Sequence, residues 1–89
     1  MDLKFDPAKS AANKRRHGID FVEARALWLD TDRIEIPART TDEPRALVIG
    51  KLGGKHWSVV ITRRDQKIRF ISVRCARKEE VAFYEGEGV

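Results

Sequence analysis

The fold turns on two runs, Trp57-Ser58-Val59-Val60-Ile61-Thr62 and Ile68-Arg69-Phe70-Ile71-Ser72-Val73. Both read as strands, and the short connection around Asp65-Gln66 predicts a tight turn that pairs them as an antiparallel hairpin. Seven of the sixteen residues from Arg63 to Lys78 are Lys or Arg, and only Asp65 opposes them. Cations set into paired strands stand at fixed spacing, which a floppy basic tail does not achieve. An arginine fork grips phosphate bidentately, so this stretch points toward nucleic acid.

Strict alternation places Trp57, Val59, Ile61 and Arg63 on one face of the hairpin and His56, Ser58, Val60, Thr62 and Arg64 on the other. In the second strand it sets Ile68, Phe70, Ser72 and Arg74 against Lys67, Arg69, Ile71, Val73 and Cys75. Neither face is purely apolar, so both are expected to be at least partly covered.

Upstream, Ile34-Glu35-Ile36 reads as a short strand closed by Pro37, Thr40 to Pro44 as a polar loop, and Arg45 to Gly50 as a longer strand turned by Gly53-Gly54. Residues 6–29 predict two helices. Asp6-Pro7 is an N-cap followed by proline at the first helical position, and Gly18 is a C-cap. Ala8, Ala11 and Ala12 give the first helix a thin apolar stripe, and Lys14-Arg15-Arg16 suit its C-terminal dipole. Asp20 and Glu23 form a capping box for the second, whose buried side is expected from Val22, Ala24, Ala26, Leu27, Trp28 and Leu29. Arg77 to Glu85 reads as a closing helix, with fraying beyond it. The predicted order is β-α-α-β-β-β-β-α, with Leu3 to Phe5 as the first strand. This is one α+β domain over residues 1–89, an antiparallel sheet of about four strands with two N-terminal helices and one C-terminal helix laid on one face.

The chain of 89 residues is 42% apolar and 36% charged, with a formal charge of +4 and a pI near 9.6. That balance permits a nucleic acid or an acidic protein as partner. The single cysteine, Cys75, excludes an internal disulfide and fits a reducing compartment. No apolar run approaches the ~20 residues of a membrane span, and nothing at Met1-Asp2-Leu3-Lys4 reads as a leader. A soluble intracellular protein without membrane contact is expected.

Several residues admit two readings. Arg69 or Arg74 faces either a phosphate or a structural acid such as Glu35, Glu43 or Glu80. Glu80 and Tyr84, four apart on one helix side, are a general base and proton donor, or a salt-bridge partner and a packed ring. His17 is a helix-end cap or a proton-transfer group. His17 and His56 lack a third ligand at metal spacing, so no metal and no cofactor is expected. Cys75 is read as a small buried residue. Trp28 is read as core, and Trp57 as core or as a stacking face for a base.

Phe5-Asp6-Pro7-Ala8-Lys9, Asn13, His17-Gly18-Ile19, Phe21 and Glu23-Ala24 resemble the opening of the BrnT family of type II toxins. Glu43-x-Arg45, Gly50, Thr62-x-Arg64, Ile68-Arg69-x-Ile71-Ser72-x-Arg74-x-Ala76, Glu80 and Tyr84 are similar to its later landmarks. Phe5 stands where tryptophan is common, and Val73 where alanine is more usual. The resemblance implies a RelE-like fold and a metal-independent endoribonuclease that inhibits translation. It also implies a BrnA-type antitoxin, a ribbon-helix-helix protein through which alone the toxin meets operator DNA. On this basis Arg64 and Arg74 are assigned to the phosphate, Glu80 to proton acceptance and Tyr84 to support or donation. His17 is an outside candidate for acid or base. Lys14, Arg15, Arg63, Arg69 and Arg77 are assigned to binding the RNA backbone. A non-catalytic nucleic-acid-binding or protein-interaction module is the alternative.

Overall fold

Four long strands pair as an antiparallel meander in the computed structural model, which describes residues 3–38 and 44–86. In chain order the elements are β1 (Leu3–Lys4), α1 (Pro7–His17), α2 (Phe21–Ala24), a 3-10 segment (Arg25–Leu29), β2 (Ile34–Ala38), β3 (Arg45–Leu52), β4 (Lys55–Arg64), β5 (Lys67–Cys75) and α3 (Lys78–Tyr84). The sheet order is β1-β5-β4-β3-β2, and short β1 adds in parallel beside β5. The expected polar loop, apart from Pro44, and the C-terminal residues 87–89 lie outside the described residues.

Local chemistry sets most element ends. Asp6 accepts from the Ala8 amide at 2.8 Å, and Pro7 opens α1. Gly18 ends it at φ 81°, its N–H returning to the Lys14 carbonyl. Asp20 and Glu23 make the reciprocal capping box. Gly53-Gly54 and Asp65-Gln66 both take positive φ, as two-residue hairpin turns of the right twist require. Pro37 does not end β2. The strand runs on to Ala38, because it is an edge strand and one missing N–H is tolerated there.

The second helix changes form. After one α turn it tightens to a 3-10 segment, whose three-residue period lines up Phe21, Ala24 and Leu27 against the sheet. Val22 and Leu29, expected inside, are therefore turned out, at 55% and 83% exposure. The first helix also departs from expectation. Its buried positions are Ser10 and Asn13, not its alanines. Ser10 Oγ accepts from the Phe21 amide at 3.0 Å. Asn13 donates to the carbonyls of Ile19 (2.8 Å) and Val73 (2.9 Å) and accepts from the Val73 amide (3.1 Å). The side chain thereby satisfies the edge of β5 beyond the reach of β1, which ends opposite Arg69.

The core lies on one face of the sheet. Val48, Trp57, Val59, Ile61, Phe70 and Val73 meet Ile19, Phe21, Ala24 and Leu27 there. Phe5, Phe21, Phe70 and Trp28 meet in succession, edge-to-face at centroid distances of 5.7 and 5.9 Å and then tilted at 5.1 Å. At Gly50 an added Cβ would stand 3.2 Å from a Leu27 methyl, which explains the glycine in mid-strand. Contrary to the one-sided arrangement expected, α3 takes the opposite face, over Ser58 and His56.

Candidate functional site

The β4–β5 ladder contains one irregularity, and it decides which arginines stand together. Val60 pairs with Ser72 but the next residue, Ile61, pairs with Phe70, so Ile71 is an extra residue in β5. Beyond this bulge the alternation of β5 reverses. Phe70 and Val73 both face the core, while Arg69, Ser72 and Arg74 share the other face. Strict alternation had separated Arg69 from Arg74; the bulge unites them. By register, Arg45, Arg64, Lys67, Arg69 and Arg74 all project from the face opposite the core. Between them lie the half-buried side chains of Leu47, Val60 and Ser72.

Arg74 is anchored. Its Nη1 and Nη2 donate to the two oxygens of Glu80 at 2.7 and 2.9 Å. Glu80 is only 8% exposed, and it also accepts from Ser58 Oγ (2.9 Å) and from the Arg77 amide that caps α3 (2.7 Å). The Arg74 guanidinium, opposed by burial but aided by the Arg77 amide and Ser58 hydroxyl, holds the Glu80 carboxyl down at about 2. A carboxylate so acidic, with four donors upon it, is an anchor for Arg74 and a poor proton acceptor. Arg74 also reaches the Cys75 carbonyl at 3.3 Å, which leaves its Nε–H and one Nη2 hydrogen for a further acceptor.

Tyr84 is committed elsewhere. Its hydroxyl donates to Asp30 Oδ2 at 2.7 Å, and that hydrogen bond, with burial and the Asp30 charge, pushes the phenol up to about 12. Burial pushes the Asp30 carboxyl up, but hydrogen bonds from Tyr84 and from the Lys51 and Asp32 amides outweigh it and hold the group below its ordinary value. The Tyr84 ring meets His56 edge-on at 5.0 Å, and His56 Nε2 lies 2.8 Å from Glu85. These contacts pin α3 to β3 and β4.

The remaining candidates scatter. Arg63 sits on the core-side face, its Nη1 and Nη2 donating to the two carboxylate oxygens of Glu35. Lys14 is paired with Glu23 at 2.7 Å. Arg15 is exposed on α1, and Arg77 is exposed at the start of α3. His17 lies half-buried in a cleft of about 190 Å³ between α1 and the bulge of β5, beside Lys9, Arg16, Ile71 and Ser72. Cys75, expected inside, is exposed opposite Trp57 near the end of the ladder. Trp57 is buried, as its core reading required. Among the described residues no group of three or more His, Cys, Asp or Glu is placed to hold a metal ion. None of the described helices is long and apolar enough to cross a membrane.

Sequence reasoning passed over Ser58, Asp30 and the bulge at Ile71. Ser58 carried a signal: a hydroxyl in the middle of an apolar strand needs a buried partner, and Glu80 is that partner. Ser10, Asn13 and His17, at spacings of three and four, formed a polar stripe on α1 that was equally legible.

No curated protein matches the chain significantly. A family model does: that of the ribonuclease toxin BrnT of type II toxin-antitoxin systems, over residues 5–80. The match runs from the aromatic residue before the α1 cap to the carboxylate that anchors Arg74, well over half of the sequence, and the chain accordingly belongs to the BrnT family.

Proposed function

We propose that this toxin is a metal-independent endoribonuclease of RelE-like fold that cleaves RNA through the ribose 2′-hydroxyl and so inhibits translation. The observation that carries the reading is the shared face of Arg64, Arg69 and Arg74, with Arg74 oriented by a buried carboxylate. Attack of O2′ on phosphorus places extra negative charge on the non-bridging oxygens. Preorganised guanidinium groups stabilise that charge without reorganising during the reaction. Arg74 is the best prepared, since Glu80, Ser58 and the Arg77 amide fix its position before substrate arrives. Arg64 and Arg69 stand along the same face and hold flanking phosphates. In this reading Glu80 is a positioning residue, and Tyr84 keeps α3 seated so that Glu80 stays in place.

A BrnA-type ribbon-helix-helix antitoxin would neutralise the toxin in the bacterial cytoplasm and carry the complex to operator DNA. Purified protein incubated with end-labelled RNA in EDTA tests the enzymatic reading. The expected products end in a 2′,3′-cyclic phosphate and a 5′-hydroxyl. Salt-sensitive retention of RNA without any cleavage would replace the enzyme by a binding module.

A further inference from the structure

The fold places one more chemically competent group beside the cationic face, in a cleft that the phosphate-binding arginines do not use. We infer that His17 is the group that takes the 2′-hydroxyl proton, and that the cleft between α1 and the β5 bulge seats the reacting ribose. The inference rests on the ribonuclease reading and says where in the molecule the proton goes.

Three observations support it. First, the other candidates for proton transfer are already engaged, Glu80 by four donors and Tyr84 by Asp30. His17 makes no hydrogen bond or ion pair with the described residues. Second, the cleft around it is cationic: Lys9 and Arg16 line it with His17 on the helix side, Ile71 and Ser72 on the strand side, and no carboxylate lines it among the described residues. Such a lining attracts a phosphodiester. At about 190 Å³ the cleft is smaller than the ~300 Å³ of the smallest ordinary ligand pockets, which suits one ribose-phosphate unit of a longer chain. Third, the bulge connects the cleft to the arginines. Ser72 lines the cleft and shares its face with Arg74, two residues and about 6.6 Å of backbone further along β5. A ribose seated at His17 would thereby direct its 3′-phosphate toward the face that carries Arg74.

The step balances without a metal or a second substrate. A neutral imidazole nitrogen of His17 accepts the proton of the 2′-hydroxyl as O2′ bonds to phosphorus. The bond from phosphorus to O5′ breaks, and the departing oxygen takes a proton from water. His17 then returns its proton to solvent.

Cleavage of an RNA oligonucleotide in EDTA by the wild type and by His17→Ala tests this, alongside binding of the 2′-deoxy analogue, which cannot react. His17→Ala should cleave about 100-fold more slowly or worse, as loss of a general base entails. It should bind the deoxy analogue as the wild type does, and added imidazole should restore part of the rate. Should the alanine variant fail to fold, His17→Gln keeps the bulk and should show the same loss of rate. Cleavage near the wild-type rate would overturn the inference while leaving the ribonuclease reading standing. A loss explained wholly by weaker binding, or one that imidazole does not relieve, would overturn it equally. If the wild type itself leaves RNA intact, both readings fall.

Discussion

At Glu80 a single carboxylate ties a strand arginine, a strand hydroxyl and a helix cap together. Its folded-state value of about 2 lies below the ordinary 4.5. A depressed carboxyl stabilises the fold above its unfolded value, and that contribution is lost as pH falls from 4.5 toward 2. By linkage it amounts to at most about 3 kcal/mol. Ser58→Ala removes one donor, so Glu80 should be held less tightly and the acid-unfolding midpoint should move to higher pH. Stability at neutral pH should fall by about 1 kcal/mol, measured by urea denaturation. Tyr84 offers a second check, because it is the one tyrosine in the sequence and its phenolate absorbance is unmixed with another. A raised phenol stabilises the fold below its unfolded value and loses that contribution as pH rises through about 12. Spectrophotometric titration of the wild type should give a midpoint near 12, and Asp30→Asn should bring it back toward about 10.

Among the elements, β5 matters most, since its bulge decides the face on which Arg74 emerges. The caps at Asp6, Gly18 and Asp20 and the turns at Gly53-Gly54 and Asp65-Gln66 were legible in the sequence, because each is set by residues a few positions apart. The bulge was not, because an extra residue shows only when β5 is laid against β4, and neither strand alone records the register. The shift to 3-10 geometry after Ala24 was hidden for a similar reason. The segment 21–29 carries apolar residues on every side, so its period is chosen by the sheet it packs on. Of the candidate site, the clustering of cations in the hairpin was readable, whereas their sorting into Arg74 with Glu80 and Arg63 with Glu35 depended on tertiary placement. The docking of α1 was misread as apolar, and Asn13 is its test. Asn13→Ala leaves two carbonyls and one amide of buried backbone without partners. It should cost about 2–4 kcal/mol in urea denaturation at neutral pH. A loss under about 1 kcal/mol would mean that α1 is held mainly by other contacts.

For the molecule as a whole, the sheet divides two kinds of surface. One face holds the apolar core under α1 and α2; the other is half covered by α3 and carries Arg45, Arg64, Lys67, Arg69 and Arg74. Binding of single-stranded RNA through these five side chains should release counterions and give a log–log salt slope of about −3.5. Arg69→Ala should make that slope shallower by about 0.7, read from affinities across a salt series. A slope near zero would place the interface elsewhere. Membership of the BrnT family says that the chain is a ribonuclease toxin, and the placement of its cations is the basis for the RNA-binding face proposed above. The most direct measurement compares RNA cleavage in EDTA by Arg64→Ala, Arg69→Ala and Arg74→Ala with that of Arg63→Ala. Arg63 lies a single residue from Arg64 but on the opposite face, where its exposed pair with Glu35 contributes little to stability. The three variants of the cationic face should lose activity, Arg74→Ala most of all at about 100-fold or more, while Arg63→Ala cleaves as the wild type does. Equal loss in all four, or full activity in Arg74→Ala, would contradict the account.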